Sequence, residues 1–323
     1  MGCPTTDRSL SFRLIYHEAY DLNFGQHVFP SRKYHLIRER LLADGFARES
    51  DFLRPEPSPD ADLQRAHESG WIGRLKNGTL SFQDIRLLEV PYSRQMVNAY
   101  LLAAGGTTLA AECALEEGVG VNLGGGFHHA FAAHGEGFCA INDIAVAIRT
   151  LQHRGLIRRA AVVDCDVHHG NGTAAIFATD PDVFTLSIHQ YHNYPAEKPP
   201  STIDVHLPDG IGDEEYLKRL ADPLEAAVGG FRPGLLIYVA GADPYYEDQL
   251  GGLSLSLEGL KERDRFIIGR ALEFHVPVAV CLAGGYALNL DDTVAIHCNT
   301  AYAVRDCLRD RPWQRVEQAG APW

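Results

Sequence analysis

No two cysteines in this 323-residue chain are spaced as CxxC. The seven present (Cys3, Cys113, Cys139, Cys165, Cys281, Cys298, Cys307) are scattered and odd in number, and several sit inside apolar segments. That pattern argues against a disulfide framework and for reduced core thiols in a cytoplasmic protein. A basic surplus is also missing: 29 Lys and Arg stand against 42 Asp and Glu, a net charge of −13. A nucleic-acid-binding face, which needs a basic footprint, is thereby disfavoured. A local acidic rim can still attract a single lysine or polyamine. No apolar stretch has transmembrane length, and the N-terminus lacks a signal-peptide pattern, so no membrane span is expected. "MGCPTT" fits the loose MGxxx[ST] myristoylation pattern, which is too short to carry weight. There is no internal repeat, and the one Pro-rich stretch, "RPEPSPDADL" (54–63), falls too early to divide two domains.

What is present is an ordinary globular composition, 46% hydrophobic and 22% charged, able to bury a sizeable core. Apolar runs at 12–16, 118–123, 160–164, 183–188, 235–240 and 277–283 read as strands. They are apolar throughout rather than alternating, which suits a parallel sheet covered on both faces. Helical stretches are expected at 32–43, 95–116, 140–153, 213–228, 256–274 and 289–308. The alternation predicts one α/β domain over residues 1–323, an open, mostly parallel sheet with helices on both faces.

Polar groups collect just after the strands, in "GGGFHHA" (124–130), "DCDVHHGNG" (164–172), "HQYHNYP" (189–195), "GADPYYED" (241–248) and "GGY" (284–286). In an open parallel sheet, that edge is where ligands bind. Charges packed behind a buried strand cost stability unless something compensates them. Asp164, Asp166 and His168 are spaced by two and would share one face of an extended chain. Asp166 and His168, with Asp243 from another strand end, form a donor set for one cation. Two carboxylates and one imidazole, leaving a position open for water, mark a catalytic rather than a structural metal site. Such a metal acidifies water and polarises a carbonyl. The chemistry also needs a proton shuttle, for which His128–His129 is the candidate, with Asp164 and Asn171 as partners that could tune the two rings apart. Tyr286 is placed to donate to a developing oxyanion. Any one of these alone would more simply be a polar residue at a strand end.

Together the motifs "GGGFHHA…GEGFCAINDIAVAI", "VDCDVHHGNGT", "GADPYYEDQLGGLSLS" and "AGGYA" resemble the zinc-dependent histone deacetylase family, within the arginase–deacetylase fold, from about residue 12 to 305. The stretches "GGTTLAAECALEEGVGVNLGGGFHHA" and "LGGLSLSLEGLKERD" look most like the class IV branch and its bacterial relatives. The resemblance implies hydrolysis of acyl-lysine in proteins or peptides, with one zinc held by Asp166, His168 and Asp243. It makes His129 the main general base and acid, with Asn171 behind it. His128 becomes its electrostatic partner, oriented by Asp164, and Tyr286 the oxyanion donor. Gly137, Phe138 and Tyr194 fall where the family lines its acyl-lysine tunnel. A structural K+ or Na+ is also implied, using Asp164, Asp166, His168, Ser187 and Ile188.

Two departures stand out. Asn171 occupies a position where class I members carry Asp and class II and IV members share Asn. The class I substrate-clamping Asp has no clear counterpart, Glu89 in "LLEVPYS" being the nearest acid. A two-metal ureohydrolase is set aside, because Gly170 and Gly241 stand where its second-site carboxylates would be. An acylpolyamine amidohydrolase with the same chemistry stays open, as does an inactive module that merely binds acyl-lysine. The class IV resemblance also implies acyl chains longer than acetyl. Glycines in "NLGGGFHHA" and "CLAGGYA" would agree with that if they leave room at the tunnel foot.

Overall fold

The apolar runs lie side by side in a computed structural model that describes residues 8–314. The strands are β1 (Arg13–Ile15), β2 (Phe52–Leu53), β3 (Val119–Asn122), β4 (Ala160–Asp164), β5 (Val183–Gln190), β6 (Ile203–Leu207), β7 (Leu235–Val239) and β8 (Val278–Cys281). They form one eight-stranded sheet in the order β2-β1-β3-β8-β7-β4-β5-β6. Every neighbouring pair is parallel, as expected of the fold class. Residues of β3, β4, β5, β7 and β8 are buried on both faces, which is why these strands read as unbroken apolar runs.

The helices are α1 (Lys33–Ala43), α2 (Asp60–Leu63), α3 (Ser69–Asn77), α4 (Phe82–Leu88), α5 (Arg94–Glu117), α6 (Asp143–His153), α7 (Asn171–Phe177), α8 (Asp213–Glu225), α9 (Leu257–Glu273) and α10 (Leu290–Asp310). α5 packs on α6, while α10 packs on α9 and α1. The long helices follow the expected ranges closely. α6 starts at Asp143 rather than 140 because the Asn142 side chain caps it, accepting from Ala145 N at 2.9 Å.

β2, β6 and the short helices α2, α3, α4 and α7 were not expected. β2 has only two residues. β6 is a partly exposed edge strand whose Asp204 and His206 interrupt the apolar run. Among the described residues no helix is long and apolar enough to cross a membrane, and Cys113, Cys139, Cys165, Cys281, Cys298 and Cys307 are free thiols. Cys3 and "MGCPTT" lie outside the described residues.

Candidate active site

β3, β8, β7, β4 and β5 are consecutive in the sheet, so their C-terminal ends share one edge. Each runs directly into one of the five polar clusters, which brings segments more than 100 residues apart onto one site. Asp143, the first residue of α6, shapes the glycine loop after β3 by accepting from Gly126 N and Phe127 N at 2.9 and 2.8 Å.

The spacing by two holds an extended chain only as far as Asp164, where β4 ends. Beyond it the chain folds through two successive aspartate turns. Asp164 Oδ1 accepts from Asp166 N at 3.1 Å, and Asp166 Oδ1 accepts from His168 N at 3.0 Å. Asp164 is thereby separated from the other two: its Oδ2 meets His128 Nδ1 at 2.7 Å. Asp166 and His168 instead converge with Asp243, one ligand atom of each lying within 4.8 Å of the others. His168 Nδ1 is 2.9 Å from Asp166 Oδ1 and 3.5 Å from Asp243 Oδ2.

All three are buried, and Asp243 Oδ2 has no hydrogen-bond partner. Burial and the neighbouring Asp166 carboxylate push the Asp243 carboxyl up. An orphaned buried carboxylate oxygen beside a second carboxylate and an imidazole fits a divalent cation, which would relieve both the burial and the like-charge repulsion.

Two buried cations brace this cradle, and neither was found from sequence. Lys33 Nζ donates to Ala283 O at 2.6 Å, and its charge is favoured by Asp243 and Asp166, although burial dominates and lowers its pKa to about 8. Arg263 of α9 donates through Nη1 to Gly241 O at 2.8 Å and Cys165 O at 3.3 Å, tying together the loops after β7 and β4. Both are single charged residues on helices, a pattern indistinguishable in sequence from a solvated face.

His128 and His129 face each other, Nε2 to Nε2, at 3.0 Å. Burial opposes charge on His128, but Asp164 and Asp166 outweigh it and raise its pKa to about 9. For His129, burial and then the His128 and His168 charges hold the ring well below the usual imidazole range. The surroundings thus push the two rings in opposite directions, His128 toward the charged form and His129 toward the neutral form. His129 Nδ1 lies 2.7 Å from Asn171 Oδ1.

A cavity of about 190 Å³ opens over this cluster. Its walls include Phe29, Phe127, Phe138, Tyr194, Leu250 and Tyr286, with Glu89 also lining it and exposed to solvent. Gly137 belongs to the lining because nothing larger fits: a Cβ there would come within 2.8 Å of Tyr194 and 2.9 Å of His129. The glycines near the cradle do not open a pocket foot. A Cβ on Gly284 would sit 2.1 Å from Asp243 Oδ2, and one on Gly126 would sit 2.6 Å from the Ala283 Cβ. They are small because main chain and carboxylates approach closely, so they lend no support to a long acyl chain. Ser187 pairs with Asp164 in the β4–β5 register, and Ile188 follows it, buried. The Ser187 Oγ also lies 2.9 Å from His189 Nδ1.

Sequence and structure comparisons identify the family and the fold. The histone deacetylase domain model matches residues 27–301. An uncharacterised protein of Picosynechococcus is 40% identical over 298 residues, 92% of this chain and 99% of that protein. Histone deacetylase 2 of Arabidopsis thaliana is 32% identical over 286 residues, covering 84% of this chain and 74% of the relative. The crystal structure of the HDA15 HD domain superposes with a TM-score of 0.74 at 24% identity, covering 93% of this chain and 95% of that domain, which bears on the fold alone. The chain belongs to the histone deacetylase family.

Proposed function

We propose that this protein is a zinc-dependent lysine deacylase, hydrolysing the amide bond of acyl-lysine in proteins or peptides. The observation that carries the reading is the convergence of Asp166, His168 and Asp243 with His129 and Tyr286 at an aromatic-walled cavity. Asp166, His168 and Asp243 would hold the zinc. When bound, it supplies the Lewis acidity that polarises the acyl carbonyl and acidifies water.

The chain's own groups do the rest. Neutral His129 takes a proton from the attacking water through Nε2 and returns it to the departing amine. Charged His128, anchored by Asp164, stabilises the negative charge that builds up nearby. Burial keeps the Tyr286 phenol far above its ordinary pKa, so it stays a donor for the acyl oxygen. Phe138 and Tyr194 flank the lysine stem. A K+ or Na+ at Asp164, Asp166, His168, Ser187 and Ile188 would offset the charge beneath the zinc.

Resemblance to the class IV branch supports acyl chains longer than acetyl, and the apolar walls would gain about 0.8 kcal/mol per methylene buried. The test compares acetyl-, octanoyl- and myristoyl-lysine forms of one peptide, and acylated polyamines, with and without chelator. Chelator-sensitive turnover of the peptides is expected. Turnover of polyamines alone would make it a small-molecule amidohydrolase, and no turnover of any substrate would overturn the hydrolase reading. Turnover of acetyl-lysine with no measurable rate on longer chains would end the long-chain proposal.

A further inference from the structure

We infer that Glu136 is a positioning residue for His129: by accepting a hydrogen bond from the Asn171 amide, it decides which way that amide faces and hence which imidazole nitrogen carries the proton. The inference rests on the proposed role of His129 as the base and adds a residue to that machinery.

A side-chain amide has a donating end and an accepting end, and its orientation is set only by its partners. Asn171 sits between His129 Nδ1, 2.7 Å from its Oδ1, and Glu136 Oε1, 2.8 Å from its Nδ2. An ionised carboxylate can only accept, so it faces the NH2 end and turns the carbonyl oxygen toward His129. The oxygen in turn requires a proton on Nδ1, which leaves Nε2 as the accepting nitrogen, toward which a charged His128 turns its own Nε2–H at 3.0 Å.

With the amide reversed, Nδ2 would face the ring. The proton would then move to Nε2, and the base would be lost. An aspartate at 171 would not have this ambiguity, because either oxygen accepts. The neutral residue at this position therefore creates a choice of tautomer, which Glu136 settles from the Nδ1 side while the His128 N–H favours the same outcome from the Nε2 side.

Glu136 is built for that part. Its backbone N donates to Cys139 O at 3.0 Å, and Cys139 N donates back to Glu136 O at 2.8 Å, closing a tight loop. The Tyr194 hydroxyl donates to the same Oε1 at 2.8 Å, and His134 Nε2 lies 3.5 Å from Oε2. Three groups that favour a carboxylate thus converge on one side chain whose main partner is the amide behind the base.

The test combines kinetics with long-range proton–nitrogen correlation of the imidazoles in the full-length protein. The wild type should show His129 as the Nδ1–H tautomer. In Glu136→Ala, an Nε2–H population should appear and kcat should fall about tenfold to a hundredfold, less than the roughly 10⁴-fold that a fully locked wrong tautomer can cost. Glu136→Leu, which fills the space without an acceptor, should behave likewise. Glu136→Gln keeps one accepting oxygen, which the Tyr194 hydroxyl also favours at that position, but adds a donating end, so it should recover only part of the loss. In an Asn171→Asp background the same Glu136→Ala change should alter kcat by less than about threefold, because no amide remains to orient. An unchanged tautomer with kcat within about twofold of wild type in both Glu136→Ala and Glu136→Leu would overturn the inference, and so would an equal loss in the Asn171→Asp background. If the wild type hydrolyses no acyl-lysine, the functional reading fails, but the tautomer shift still decides the role of Glu136.

Discussion

At the scale of single residues, the site works by giving like groups unlike surroundings. His128 and His129 are adjacent in sequence and equally buried, yet one has a carboxylate at 2.7 Å and the other a neutral amide at 2.7 Å. The difference favours charge on the first ring and the neutral form of the second, the pairing that the proposed mechanism uses. Replacing His129 with Ala should lower kcat by about two to four orders of magnitude, the usual range for losing a general base. Metal content, read by elemental analysis, should be unchanged; a loss below tenfold would assign the proton to another group. Tyr286→Phe removes a donor needed chiefly as charge develops, so kcat should fall about a hundredfold with KM nearly constant. A rise in KM alone would recast Tyr286 as a substrate-binding group.

At the scale of elements, the sheet edge brings the clusters together and the turns aim them. The loop after β8 shows how little slack there is. Gly284 N donates to Asp166 Oδ2 at 3.1 Å, and a Cβ at this position would sit 2.4 Å from that same oxygen. A Cβ there also meets Asp243 Oδ2 at 2.1 Å, so Gly284→Ala must displace both carboxylates or the loop itself. It should abolish metal retention in equilibrium dialysis while the circular dichroism spectrum stays that of wild type. Full metal retention would mean the loop can move aside. The strands that carry the site were legible in sequence because burial on both faces writes an unbroken apolar run, and the clusters were legible because they follow those runs. Lys33, Asp143, Arg263 and Glu136 were not. Each is one charged residue whose meaning depends on a partner brought near by the fold, such as the Gly241 carbonyl for Arg263 or the Asn171 amide for Glu136. The turn from Asp164 to His168 was not legible, because a spacing of two describes a strand only while the chain stays extended, and the aspartates themselves end it by capping the next backbone amides.

At the scale of the whole molecule, a buried histidine ties one wall of the site to the fold and should make its stability depend on pH. That residue is His67. It follows α2, is 3% exposed, and accepts from Asn142 N at 3.0 Å through Nε2 while Nδ1 lies 3.0 Å from Phe131 O. One ring thus clamps both ends of the segment that carries Glu136, Gly137 and Phe138. A protonated ring could no longer accept from Asn142. Burial accordingly lowers the His67 pKa to about 4, from an ordinary imidazole value of about 6.5. Because the folded value lies below the unfolded one, the unfolded chain binds more protons between these two pH values. Stability linked to His67 is complete above pH 6.5 and is lost as pH falls toward 4, by up to roughly 3 kcal/mol. His67→Gln offers a donor and an acceptor that do not titrate in this range. At pH 7.5 it should cost about 1 kcal/mol for the imperfect replacement of two buried hydrogen bonds. Its disadvantage should shrink or reverse at pH 5, read as the difference between the urea midpoints of the two proteins at each pH. Parallel losses of stability in both proteins would show that the acid sensitivity resides elsewhere and that His67 contributes only its packing.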